Sequence, residues 1–92
     1  MAQFFEKDPD AILPYTIDWS LWLETGDSIS LSTWVVDPVG SLAVNTDSKG
    51  TDFTTVTLEG GIIDTEYDVR NTITTANGLV DVRTIKVTVK LK

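Results

Sequence analysis

The sequence contains no cysteine and no histidine. Without thiols there is no disulfide framework and no cysteine nucleophile. Without imidazole there is no histidine-based triad and none of the common zinc sites. No apolar run approaches the length of a membrane-spanning helix, so no membrane partner is expected. The segment Met1–Pro14 carries Glu6, Asp8 and Asp10 and no apolar stretch, which argues against a secretory signal and for synthesis in a cytoplasm. Basic residues are scarce, 7 against 14 acidic ones, for a net charge of −7. At 92 residues the chain has room for one domain with a thin core, and little room for a catalytic cleft.

The charge is unevenly placed. Residues 1–48 hold one base, Lys7, and eight acids, whereas residues 49–92 hold six of each. The acidic half would repel a phosphate backbone, so nucleic acid is not an expected partner. Such asymmetry suits contact with a basic protein surface, or simply a well-solvated acidic one.

What the chain has in abundance is β-branched residues. Thr, Val and Ile make up 31 of the 92 positions. These side chains are stiff at χ1 and pack well on a pleated surface. No segment sustains a 3.6-residue apolar stripe, so the chain reads as all-β.

Residues 13–23 alternate cleanly, with Leu13, Tyr15, Ile17, Trp19, Leu21 and Leu23 on one face. A second strand is predicted over 28–36, with Ile29 and Leu31 together and a slip in phase near Thr33 that suggests a bulge. A short strand covers 42–44, and residues 45–50 read as loop. Further strands are expected over 53–58 and 65–75. Asn77-Gly78 predicts a type I′ hairpin turn. The last strand runs over 79–91, with a bulge near Arg83-Thr84 to reconcile Val80 and Val82 with Ile85, Val87, Val89 and Leu91. Tyr67, two residues before an inward Val69, matches the tyrosine corner of immunoglobulin-like domains. The expected fold is an immunoglobulin-like β-sandwich of six to seven strands over residues 13–92, with an extended N-terminal arm over 1–12. A small β-barrel is the alternative.

Few constellations could carry chemistry. Asp64, Glu66 and Asp68 share a strand face, but same-face residues lie about 7 Å apart along a strand, too far to converge on one cation. Ion pairs with Arg70, Arg83 or Lys86 on neighbouring strands suit them better. Asp8-Pro9-Asp10 and the pair Asp47 and Asp52 lack EF-hand spacing, and no cleft surrounds any carboxylate pair that could serve glycoside hydrolysis. Gly60-Gly61 lacks the helix of a phosphate loop and reads as a turn. No catalytic residue, metal or cofactor is expected. Trp19 and Trp34 read as core. Trp22 falls on the opposite phase from Trp19, so it faces out as an interface anchor or sugar platform, unless the chain curls after Trp19. In the arm, Phe4 and Phe5 need a home, on a neighbouring subunit or back on their own sandwich. Phe4, Phe5, Lys7, Asp8, Pro9, Asp10 and Trp22 are the candidate interface residues.

The run Lys7-Asp8-Pro9-Asp10-Ala11, followed by Tyr15-Thr16-Ile17-Asp18-Trp19-Ser20-Leu21-Trp22-Leu23, Gly26-Asp27-Ser28-Ile29 and Ser32-Thr33-Trp34, resembles a family of small tailed-phage virion proteins, the fibre-tail adaptors. The segment Asn71–Arg83 is similar to that family's ending, residues 37–64 carry no specific match, and Pro14 departs from its pattern. The resemblance implies a non-enzymatic virion protein at the tail or neck, made in a host bacterial cytoplasm. Its partners would be tail tube, nozzle, neck or fibre proteins, and it would form a homo-oligomeric ring. A capsid decoration protein and a glycan-binding module for host attachment are the alternatives.

Overall fold

The computed structural model describes residues 3–92; Met1 and Ala2, part of the expected arm, lie outside the described residues. The chain forms β1 (Gln3–Lys7), β2 (Leu13–Asp18), β3 (Ile29–Asp37), β4 (Leu42–Lys49), β5 (Phe53–Gly60), β6 (Glu66–Thr75) and β7 (Val80–Val89). One sheet has the order β1-β7-β6-β3 and the other β2-β5-β4. Two separate sheets make this a sandwich, all-β as expected, and not a barrel. Every pairing is antiparallel except β1 with β7.

The core sits where period-two alternation points inward. Tyr15, Ile17, Val56 and Leu58 from one sheet face Tyr67, Val69, Ile73, Ile85, Val87 and Val89 from the other. The tyrosine corner forms: the Tyr67 hydroxyl accepts the Ile62 N–H at 3.1 Å. Trp19 is fully buried and polar at one end. Its indole N–H reaches Thr54 Oγ1 and Asn71 Oδ1, both at 3.2 Å, and the Thr54 hydroxyl donates to Asn71 Oδ1 at 2.7 Å. The Asn71 amide then donates to Ser32 Oγ and the Thr33 carbonyl. This satisfied network spans both sheets, so its buried polar atoms carry little desolvation penalty.

Several local expectations are corrected. Gln3–Lys7 is not a free arm, because it pairs in parallel with Ile85–Val89 of its own sandwich. β2 stops at Asp18, so Leu21 is 99% exposed rather than inward. The irregularity in β3 falls between Ile29 and Leu31, not at Thr33; Ile29 is buried and Leu31 is 55% exposed. β4 extends through residues 45–49, most of the predicted loop. As an edge strand open to water, all but Leu42 of it is exposed, and it carries no alternation to read. β7 runs in unbroken register with β6, so Val80 and Val82 point outward and no bulge forms at Arg83-Thr84. In the β6–β7 turn only Gly78 has a positive φ (87°), and its N–H donates to the Thr75 carbonyl at 2.9 Å. A type I′ turn needs positive φ at both central residues, so this is a turn closed by a glycine instead.

Candidate interaction surfaces

Lys7 ends β1 opposite Val89 and points inward, fully buried. Its ammonium donates to the carbonyls of Asp8 (2.9 Å) and Gly60 (2.8 Å). Burial pushes its pKa below the ordinary value, against the pull of Asp8, Asp10 and Glu59. The Asp8 carboxylate accepts the Asp10 N–H at 2.8 Å and the Lys92 N–H at 2.9 Å. These two backbone donors hold its pKa below the usual carboxylate value. The Ala11 N–H donates to the Asp8 carbonyl, and the Lys90 N–H to that of Lys7. Lys7-Asp8-Pro9-Asp10-Ala11 is therefore a corner that carries the chain from one sheet to the other and ties down the C-terminus. Lys7 and Asp8 are used within the fold; Pro9 is half-buried and Asp10 exposed.

The two phenylalanines part company, as alternation in a strand requires. Phe5 faces inward and stacks at a tilt on Tyr15, with ring centroids 4.8 Å apart. Phe4 faces outward and is 72% exposed. Trp22 is half-buried because the chain curls after Trp19. The N–H groups of Trp22 and Leu23 both donate to the Trp19 carbonyl, and the Trp22 ring meets Trp19 edge-on at 5.4 Å. Arg83 lies 4.2 Å over the Trp19 ring and donates to the Asp18 carbonyl at 2.8 Å. Trp34 is half-buried against the core.

Asp64, Glu66 and Asp68 stand beside lysines. Asp64 meets Lys90 at 3.1 Å, Asp68 meets Lys86 at 2.8 Å, and Glu66 lies 4.0 Å from Lys86. No cluster of three metal-ligating side chains occurs among the described residues. A cleft of about 270 Å³ opens beside the start of β1, lined by Gln3, Ile17, Asp18, Arg83, Thr84 and Ile85.

The surface that sequence reasoning missed is the outer face of the four-stranded sheet. Register puts Leu31, Thr74 and Val80 in one row across it, Thr33, Thr72 and Val82 in the next. No charge stands in either row. The signal is the mismatch of phase at Val80 and Val82, which point outward with no bulge. Beyond them the face turns polar through Arg70, Asp68 and Lys86.

A family model described as podophage GP4 fiber-tail adaptor protein gp77 matches residues 7–88. No curated protein sequence matches the chain. Among solved structures, the titin M3 domain is similar in fold at 13% identity and a TM-score of 0.57, covering 97% of this chain and 88% of its own. The 2,6-sialyltransferase of Photobacterium sp. JT-ISH-224 aligns with a TM-score of 0.58 at 10% identity. It covers 99% of this chain, which spans only 17% of that enzyme. At such identities both likenesses describe the immunoglobulin-like fold alone.

Proposed function

This chain belongs to the podophage GP4 fiber-tail adaptor protein gp77 family, and from that premise we propose that it joins tail and fibre components of a phage virion through protein–protein contacts. The family match over residues 7–88 carries the reading. A structural tail adaptor role follows from it, with virion tail proteins as partners. The finer points are our own: a homo-oligomeric ring at the tail or neck, assembled after synthesis in the host bacterial cytoplasm, with no enzymatic step and no nucleic acid or membrane partner.

Adaptor contacts of this kind rest on apolar anchors in pockets, a polar rim and complementary charge. Phe4 supports the reading best among the candidate residues, since it is a large exposed aromatic on a short edge strand. Asp10 offers charge at the adjoining corner. Phe5, Lys7, Asp8 and Pro9 act behind it by holding that corner in shape, and Trp22 sits at the other end of the sandwich.

Cryo-EM of purified virions tests the location. Density for this fold between tail and fibre is expected; density only on the capsid, or none, overturns the reading. Phe4→Ser tests the anchor. It should fold normally and enter virions poorly, and normal incorporation removes Phe4 from the interface.

A further inference from the structure

Sheet edges expose unpaired N–H and C=O groups, and proteins protect them with charge, proline, bulges or short length. Three edges of this sandwich are protected in that way. β1 is short and carries Glu6 and Lys7, β2 carries Pro14 and Asp18, and β4 carries Asp47, Lys49 and a register shift at Val44/Thr46. β3 is different. From Ile29 to Val36 it has neither charge nor proline, and its one acid, Asp37, sits at the end in an ion pair with Arg70 at 3.7 Å.

β3 is also incompletely covered. Ser32, Trp34 and Val36 face inward but are only half-buried, whereas their β6 neighbours Ile73, Asn71 and Val69 are fully buried. The Trp34 indole N–H is out of water and lacks an acceptor, a costly state for a polar group. The outer face beside β3 is the uncharged patch formed with Thr72, Thr74, Val80 and Val82.

We infer that β3 is a contact between two copies of this chain, paired antiparallel edge to edge into one continuous sheet. Charge selects the occupant. A basic partner finds carboxylates at Glu6, Asp18 and Asp47 on the other three edges and none along β3 before Asp37. A second copy carries the same −7, so it can approach closely only where no carboxylate faces it. A two-fold axis at Thr33 sets Thr33 opposite Thr33, Leu31 opposite Val35, and Trp34 opposite Ser32 of the second copy. Leu–Val and Thr–Thr are favourable cross-strand pairs. In this register the two Asp37 carboxylates lie eight residues apart, roughly 27 Å. That is well beyond a Debye length of about 8 Å at physiological ionic strength. The inference goes beyond the adaptor assignment and does not depend on it.

The chain has no cysteine, so one introduced thiol is unambiguous. Paired Thr33 residues would have Cα atoms about 4.5–5.5 Å apart, within disulfide range. In the full chain, T33C should oxidise to a covalent dimer faster than T16C, which lies on the outer face of the opposite sheet. In sedimentation, the wild-type mass should double as concentration rises, more readily at high salt, and T33K should lose that doubling. A wild-type monomer at every concentration and salt, or equal oxidation of T33C and T16C, overturns the contact. Neither result bears on whether the chain sits in a tail.

Discussion

The ammonium of Lys7 and the carbonyl of Gly60 meet at 2.8 Å, joining the last residue of β1 to the last residue of β5 in the opposite sheet. Gly60 has a φ of 75°, and a Cβ there would collide with the Ser41 carbonyl, so the position needs glycine. Lys7→Met keeps the buried methylenes but leaves the Gly60 and Asp8 carbonyls without their donor. Unmade hydrogen bonds of this kind cost about 1–3 kcal/mol, so we expect a loss of that order in urea unfolding. An unchanged midpoint would show that Lys7 contributes packing alone.

The same corner changes what truncation should do. Removing residues 1–11 takes away β1, the Phe5–Tyr15 stack and Lys7, and bares the edge of β7 over Ile85–Val89. The shortened chain should melt below the full one and expose apolar surface to a dye such as ANS. If the melting temperature is unchanged, β1 is an ornament of the sheet and the idea of a separable arm returns.

Arg83 protects Trp19. Its guanidinium covers the ring at 4.2 Å and is held there by the Asp18 carbonyl. Arg83→Leu retains the methylene bulk and loses the cation–π contact, worth about 0.5–2 kcal/mol depending on desolvation. The urea midpoint should fall accordingly, and tryptophan emission should shift as water reaches that ring. Arg83→Lys should recover part of the loss, because an ammonium lacks the planar face that stacks on indole.

Much of this was legible in the sequence where burial is one-sided. Tyr15 and Ile17 in the second strand, Trp19 just past its end, and Tyr67, Val69 and Ile73 in the sixth alternate with polar residues and are buried as read. The tyrosine corner was legible because its spacing is local. Where the reading failed, the deciding contact was distant or the pattern was absent. Lys7 and Asp8 read as interface residues of an arm, yet their partners Gly60 and Lys92 lie 53 and 84 residues along the chain. β4 is open to water, so its exposed residues gave no period to detect. Val80 and Val82 looked inward because valine usually is, but their strand had already committed Arg83 and Ile85 to the inner face. Asn71 hides in the same way: an amide at a core position gives no sign that Trp19 and Thr54 will satisfy it.

Tyr67→Phe isolates the corner from the core. The ring stays buried and only the hydroxyl that accepts the Ile62 N–H is lost. A net hydrogen bond is worth about 1 kcal/mol, so the expected loss is about that size. Hydrogen exchange of the Ile62 amide should speed up locally. Slowing or no change there would mean that the backbone around Asp64, at a φ of 65°, holds the loop without the tyrosine.

Asp27 links the fold to pH. It is buried, and its carboxylate accepts the N–H groups of Ser28 at 2.8 Å and Asn77 at 3.1 Å, which clips the β2–β3 loop to the β6–β7 turn. Burial alone would push its pKa up. The Thr75 side chain and the backbone N–H groups of Ser28, Asn77 and Ala76 outweigh burial and hold the carboxyl below its ordinary 3.8. A carboxyl depressed in the folded state stabilises the fold fully above its unfolded pKa. It loses that contribution as the pH falls through the lower folded value. Asp8, Asp18 and Glu6 are depressed too, by backbone donors at the first two and by Lys92 at Glu6. Melting temperature should therefore hold from neutral pH down to about 5 and drop steeply below about 4. Asp27→Asn replaces an acceptor with an amide that can turn donors toward donors, so it should melt lower at neutral pH. Below pH 4 its curve should fall less steeply than the wild type, since one of the four titrating groups is gone. Parallel acid limbs would assign the acid sensitivity to Asp8, Asp18 and Glu6 and leave Asp27 a pH-independent clip.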